Sequence, residues 1–222
     1  MAKKRRTLLL AYTTIALSMA TIVGGSYALF TDQAQGHVHL EAGTLSTKLE
    51  RTHLVTKTLG PTGQLVESTV TDPVDFTDNT TDNVFGLSSD AKIVPTSEFS
   101  ATMKISNADA VAFDYWIEVS LAEKDANGNT IDYTKMFLDD QIEVTVYVND
   151  EHKITQRLTS GFALGGETDP IGTLKVGENQ TFTVTVKFVD EDNNNDAQGE
   201  VLDFDLCVYA VQDTTVVSAS NN

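Results

Sequence analysis

The chain has 222 residues, 41% of them hydrophobic, and its 32 acidic residues against 15 basic ones give a formal net charge of −17 at pH 7. So negative a surface repels nucleic acids and anionic lipids, which excludes both as partners. The one cysteine, Cys207, excludes an intrachain disulfide, so the hydrophobic core must stabilise the fold without a covalent cross-link.

The first predicted element is a signal peptide covering residues 1–28. Four consecutive basic residues near its start precede an apolar stretch over 8–23, which is shorter than the roughly 20 residues needed to span a bilayer. Ser26 and Ala28 place small side chains at the −3 and −1 positions of a signal peptidase site. We therefore predict cleavage between Ala28 and Leu29, with an uncleaved N-terminal anchor and a twin-arginine export signal as the alternatives.

Cleavage at this junction would release a strongly acidic chain with mobile ends. It removes four basic residues and no acidic ones, which changes the net charge from −17 to −21. We predict a flexible N-terminal segment over 29–40, one domain over 29–213 and a disordered tail over 214–222. We predict that only the signal segment of the precursor contacts a membrane.

In the first half of the released chain, alternation of apolar and polar residues predicts strands. The first two candidates are 44–52 and 64–70. The next segment, 71–97, is rich in Asp, Asn, Thr and Ser and contains two prolines, so we expect a long acidic surface loop. The alternation resumes over 99–105 and 113–121.

The second half continues the same pattern. Residues 124–132 contain Asn-Gly, a strong turn signal, and are predicted to form a hairpin loop. A short helical turn is expected over 134–140. Three further strands are predicted, over 142–148, 182–188 and 204–210. Because short strands follow one another without alternating helices, we predict an all-β fold, an antiparallel sandwich or jelly roll.

Histidines are the candidate zinc ligands. His37 and His39 flank one valine, which would place two imidazoles on one face of a strand, and His53 is the third candidate. The His-Glu-x-x-His motif of helical zinc proteases is absent from the sequence. We predict that these histidines are polar residues of an exposed segment, with zinc binding as the alternative.

An acidic loop near the C-terminus offers candidate calcium ligands. Its oxygen-bearing side chains recur at alternate positions, a spacing that suits calcium: Asp190, Asp192, Asn194 and Asp196. The loop lacks the glycine and glutamate positions of an EF-hand, so we predict a solvated turn, with calcium binding as the alternative. No metal or other cofactor, and no catalytic residue, is predicted.

Four short motifs, in chain order, resemble those of a known family. They are GGSYALFTD at 24–32, AGTL at 42–45, VPTSE at 94–98 leading to NADA at 107–110, and NDAQG at 195–199 followed by FDLCVYAVQD at 204–213. They are similar to motifs of the TasA and camelysin family of exported Gram-positive surface and biofilm-matrix proteins, whose signal peptides are processed by a SipW-type signal peptidase. Thr96-Ser97 and Ala197 depart from the family pattern, and residues 55–92 resemble an insertion.

The resemblance implies an antiparallel β-sandwich of jelly-roll type that polymerises into extracellular fibres of a biofilm matrix. It implies that the freed N-terminal segment of one subunit completes a sheet in the next, with Leu29, Phe30, Thr31 and Asp32 carrying assembly. An open sheet edge can template such an added strand. The implied partners are further copies of the chain, other matrix proteins and the SipW-type peptidase.

Two other functions are compatible with the sequence. One is a camelysin-like cell-surface metalloprotease, and the other is a monomeric surface module that binds a polysaccharide or a host protein. We predict the non-enzymatic, secreted fibre subunit.

Overall fold

A computed structural model describes residues 34–42, 47–60, 63–77, 83–87, 93–108, 111–122, 130, 132–133, 138–192, 196 and 202–212. For residues 34–42, 138 and 139 it describes the backbone. The predicted signal peptide, the hairpin turn at Asn127-Gly128 and the C-terminal tail lie outside the described residues. Within the described ranges, no helix has the length and apolar character needed to cross a membrane.

The described residues form twelve β-strands and one short helix, which confirms the predicted all-β fold. The strands are β1 (Ala34–Ala42), β2 (Thr47–Leu59), β3 (Leu65–Val70), β4 (Val74–Asp75), β5 (Glu98–Asn107), β6 (Phe113–Leu121), β7 (Ile142–Val148), β8 (Glu151–Arg157), β9 (Phe162–Leu164), β10 (Gly172–Leu174), β11 (Asn179–Phe188) and β12 (Leu202–Gln212). The helix α1 (Leu138–Gln141) precedes β7, as expected from the predicted helical turn.

These strands form two sheets. In the first sheet the order is β1-β12-β6, and β9 and β10 both pair with the far edge of β6. In the second sheet the order is β3-β2-β5-β11-β7-β8, and β4 pairs with β2 beside β3. Every described pair is antiparallel except β1 with β12, which is parallel. The prediction of an antiparallel fold therefore holds for all described pairs but this one.

Alternation along the strands produces a core between the two sheets. In β6, every second side chain from Phe113 to Val119 is at most 1% exposed, and the side chains between them are partly exposed. The same pattern holds in β5 and β7. The ring of Phe85 lies 6.2 Å from that of Phe204 in the first sheet and 6.4 Å from that of Phe99 in the second. One apolar cluster therefore includes residues of both sheets.

The segment predicted as a surface loop, 71–97, contributes to this core. Its apolar side chains Phe76, Val84, Phe85 and Ile93 are each at most 2% exposed. The buried guanidinium of Arg51 donates a hydrogen bond of 2.6 Å to the carbonyl of Val84 and lies 5.7 Å from the ring centroid of Phe76. The prediction of a surface position is wrong for these side chains, because average composition concealed a few apolar residues that anchor the segment.

The strand β8 was not predicted from its own sequence. Asn149 and Asp150 connect it to β7 with φ angles of 51° and 64°, both in the left-handed region. Positive φ at both central residues is the requirement of a two-residue type I′ hairpin, and Asn and Asp tolerate this conformation better than most residues. The Asn-Asp pair was therefore a usable hairpin signal.

Candidate assembly site

Strand β1 forms one edge of the first sheet. It pairs with β12 in parallel over nine positions, from Ala34 opposite Leu202 to Ala42 opposite Ala210. Among the described strands, β12 is its one neighbour. The other edge of β1 therefore carries backbone N–H and C=O groups with no strand partner in the described part of the chain, which is the arrangement that accepts an added strand.

Apolar and polar residues alternate along β1, as expected for a strand with one face towards the core. Register partners lie on the same face of a sheet. Positions 38 and 40, occupied by Val and Leu, pair with Leu206 and Val208, which are at most 1% exposed on the core side. Positions 37, 39 and 41 fall on the opposite face. The sequence GHVHLEA therefore contained a period-2 signal that the prediction of a flexible segment overlooked.

The predicted cleavage and assembly residues precede β1 in the sequence. The cleavage residues Ser26, Ala28 and Leu29, and the assembly residues Leu29, Phe30, Thr31 and Asp32, fall outside the described residues. Of the predicted flexible segment, residues 34–40 lie in β1. Since β1 is parallel to β12, both strands begin at the same end of the sheet.

The other described edges differ in how open they are. Strands β9 and β10 have three residues each, too few to template a long addition. The edge strand β8 is charged: Lys153 pairs with Glu151 and Arg157 with Glu191, both at 2.6 Å. By contrast, β3 exposes 49% of Val66. Short and charged edges resist pairing, so β1 and β3 are the edges best suited to an added strand.

The outer face of the first sheet, beside β1, combines aromatic and acidic groups. The rings of Trp116 and Tyr209 stack 5.3 Å apart with an interplanar angle of 14°. Trp116 is partly exposed. Asp114 accepts a hydrogen bond of 2.5 Å from the hydroxyl of Thr173.

Cys207 lies on this outer face and is nevertheless 7% exposed. Its neighbours Leu206 and Val208 face the core, so the thiol projects to the opposite side, beside Glu118 on β6. Burial is the main cause that raises the pKa of the Cys207 thiol, and the negative charges of Asp205 and Glu118 raise it further. A raised pKa favours the neutral thiol over the reactive thiolate.

The three candidate zinc ligands do not form one site. His37 and His39 lie in β1 of the first sheet, whereas His53 lies in β2 of the second sheet, opposite Thr102 at a β-bulge. The fourth histidine, His152, is exposed on β8 and hydrogen-bonds through Nε2 to the hydroxyl of Thr155 at 2.8 Å. The predicted trio is thus separated because the sequence could not show which sheet each strand joins.

The candidate calcium residues follow β11. Asp190, Asp192 and Asp196 are exposed, and Asn194 lies outside the described residues. Where side chains are described, no group of three or more His, Cys, Asp or Glu residues is arranged to hold a metal ion.

A scan of the sequence against models of known protein families finds no match, and a search of curated proteins finds none.

Proposed function

We propose that this chain is an exported structural protein that polymerises into extracellular fibres by exchanging β1 between copies. The observation that supports this most directly is the position of β1. It is an edge strand with one described neighbour, β12, and five residues separate it from the predicted cleavage junction. A strand in that place can leave its own sheet and complete the same sheet in another copy.

The pairing of β1 with β12 is the same within one copy and between two copies. A β1 from a neighbouring copy would make the same nine-position parallel register with β12 as the strand it replaces. Little net energy is therefore lost in the exchange, as in domain swapping. Because each copy donates at one place and accepts at another, the contact is head-to-tail and generates an open filament when it does not close into a ring.

We also propose a specific fold type, a cleaved signal peptide and a location outside the cell. These are an antiparallel β-sandwich of jelly-roll type, a signal peptide over 1–28 cleaved by a SipW-type peptidase, and secretion to the extracellular matrix or cell surface. The resemblance of the junction at 24–32 to the TasA and camelysin family supports them. In this proposal, Leu29 and Phe30 dock onto the accepting copy, and other matrix proteins are further partners.

A disulfide experiment distinguishes exchange from other modes of assembly. Gln35 and Asp203 are register partners at the start of β1 and β12, and neighbouring strands are about 4.8 Å apart, within disulfide range. Two proteins, both carrying Cys207→Ser, are mixed: one has Gln35→Cys and the other Asp203→Cys. Exchange predicts interchain disulfides in the assembled fraction. The control replaces Asp203→Cys by Gln212→Cys, at the opposite end of β12, and should give none.

Filaments that form in the first mixture without interchain disulfides above the control level would exclude exchange of β1. An independent test deletes residues 29–36 from the released chain and examines it by electron microscopy. We expect loss of filaments, whereas filaments identical to those of the parent protein would contradict the proposal. Val66→Lys serves as the matched variant at the β3 edge, because a charge there blocks addition to β3 and leaves exchange of β1 intact.

The proposal assigns no enzymatic activity. The sequence lacks the His-Glu-x-x-His motif, and its four histidines divide between β1, β2 and β8. A casein cleavage assay with and without a chelator tests this assignment. Chelator-sensitive cleavage that copurifies with the protein would favour the metalloprotease alternative.

A further inference from the structure

Strand β3 lies at one edge of the second sheet, and β2 is its one strand neighbour in the described part of the chain. All residues of β3 after Leu65 are exposed. Among the described residues, three large apolar side chains are exposed, and two of them are in β3: Val66 at 49% and Val70 at 38%. Edge strands are usually protected by charge or by a covering element, so an apolar edge indicates a place where a partner strand is added.

The two valines lie on the side of the second sheet that faces the core. Their register partners in β2 are Thr58 and Leu54. Leu54 is 5% exposed, and its partner in β5 is the fully buried Ala101. Because register partners share a face of a sheet, Val66 and Val70 extend this apolar face to the sheet edge, where an added strand would contact them.

The hydrogen bonds of the β2–β3 hairpin determine which backbone groups of β3 point outward. The N–H of Gly60 donates to the C=O of Gln64 at 2.8 Å, just before the register of the two strands begins. Hydrogen-bonded pairs alternate along an antiparallel ladder with pairs that are not hydrogen-bonded. Positions 66, 68 and 70 therefore bond to β2, whereas the N–H and C=O groups of Leu65, Glu67 and Thr69 point away from it.

A second copy of β3, added in the antiparallel direction, matches this edge in one register. The outward groups of the two copies bond each other only when odd-numbered positions lie opposite odd-numbered positions. Within β3, one such register places both valines of each copy opposite valines of the other: Ser68 opposite Ser68, and Val66 opposite Val70. The valines then occupy pairs that are not hydrogen-bonded, where side chains approach each other most closely.

Charge favours the same register. Glu67 is the one charged residue of β3, and Lys57 of β2 is its register partner. With Ser68 at the centre, Glu67 lies opposite the neutral Thr69 of the second copy. A pairing centred on Glu67 would instead place two carboxylates opposite each other, which is destabilising, and would separate the valines of the two copies.

We propose that two copies of this chain pair in the antiparallel direction through β3, about a two-fold axis at Ser68, and so join their second sheets into one continuous sheet. Both copies use the same surface, unlike the head-to-tail exchange of β1. The pairing does not require the proposed polymerisation, and in a fibre it would join two filaments side by side. A contact between two short strands is small beside the roughly 1,200 Å² of a stable interface, and the net charge of −17 opposes it. Pairing of isolated copies is therefore weak and increases with protein concentration and with salt.

A disulfide at the two-fold axis tests the register, in the full-length chain carrying Cys207→Ser. Opposite residues of a pair that is not hydrogen-bonded have Cα atoms about 4.5 Å apart, within disulfide range. Ser68→Cys should therefore form an interchain disulfide on mild oxidation, in a yield that rises with protein concentration. The control is Thr69→Cys, on the same exposed strand. Its two copies lie diagonally, about 7–8 Å apart and beyond disulfide range, so we expect little cross-linking.

A charge on β3 tests the apolar contact without introducing a cysteine. Val66→Lys should raise the dissociation constant of the pair between about twofold and about thirtyfold, because the two-fold axis removes two cross-strand contacts at once. Val176→Lys makes the same change of charge at a valine that is 57% exposed and lies between β10 and β11, and it should leave the constant unchanged. Sedimentation equilibrium measures both.

Two results would overturn the pairing. One is a disulfide yield for Ser68→Cys that does not exceed that of Thr69→Cys. The other is a dissociation constant that Val66→Lys and Val176→Lys change equally. Both measurements use the protein that remains in solution after filaments are removed by centrifugation, so a failure of fibre formation leaves these outcomes unaffected.

Discussion

Replacing Phe85 with alanine tests whether the acidic segment between β3 and β5 belongs to the hydrophobic core. Phe85 is 2% exposed, and its ring contacts Phe99 of one sheet and Phe204 of the other. Truncation of a buried Phe typically costs about 3–5 kcal/mol. We expect the upper half of this range, because two tilted aromatic contacts, each worth about 0.5–1.5 kcal/mol, are lost together.

The loss is measured as the change in free energy of unfolding from urea denaturation, with thermal unfolding as a second readout. In a domain of this size each kcal/mol lowers the Tm by about 2–4 °C, so the Tm should fall by roughly 10 °C or more. Val66→Ala is the control: Val66 is 49% exposed, and its truncation should change stability by no more than about 0.5 kcal/mol. A loss below about 1 kcal/mol for Phe85→Ala would mean that the segment lies on the surface, as its composition suggested.

Three further predictions concern charge and turn geometry. Hydrogen bonds from Lys104 and Lys48 lower the pKa of Glu50 below its ordinary 4.5, so Glu50→Gln should reduce stability at pH 7. The contribution is present above the unfolded pKa and is lost as pH falls through the folded value, so urea midpoints of parent and variant should converge in acid. The high negative charge should oppose filament packing, so assembly followed by turbidity should increase on acidification or with divalent cations; a flat response between about pH 4 and about pH 8 and across calcium concentrations contradicts this. Asp150→Gly should stabilise the protein by roughly 0.5–1 kcal/mol, because glycine adopts the observed φ of 64° without a Cβ clash; unchanged or lower thermal stability would show that the turn is not strained.

Local alternation was enough to predict most of the strands. The bounds of β6 and β7 agree with the predicted 113–121 and 142–148, and β11 and β12 extend the predicted 182–188 and 204–210 by a few residues. In each case one face of the strand packs on a core and the other meets solvent. This difference appears as alternation between consecutive residues, so the strand can be predicted without knowing its neighbours in the sheet.

The candidate site was predictable in part. The sequence predicted that the start of the segment 29–40 takes part in assembly. It also marked His37 and His39, which lie in β1, as candidate zinc ligands. The strand at residues 34–42 was missed because its period-2 signal is brief: Val38 and Leu40 are its only large apolar residues. The prediction also grouped His53 with His37 and His39, although the fold places them in different sheets.

The amino-acid sequence by itself determined that this protein is built of strands, where most of them lie, and that its surface is acidic. Only the tertiary structure decided that β1 pairs in parallel with β12, that Phe85 reaches the core, and that position 39 lies opposite Cys207. The physical reason is the range of the interactions. Side-chain alternation is a property of a few consecutive residues, whereas strand pairing joins segments far apart in the chain and depends on all the competing pairings at once.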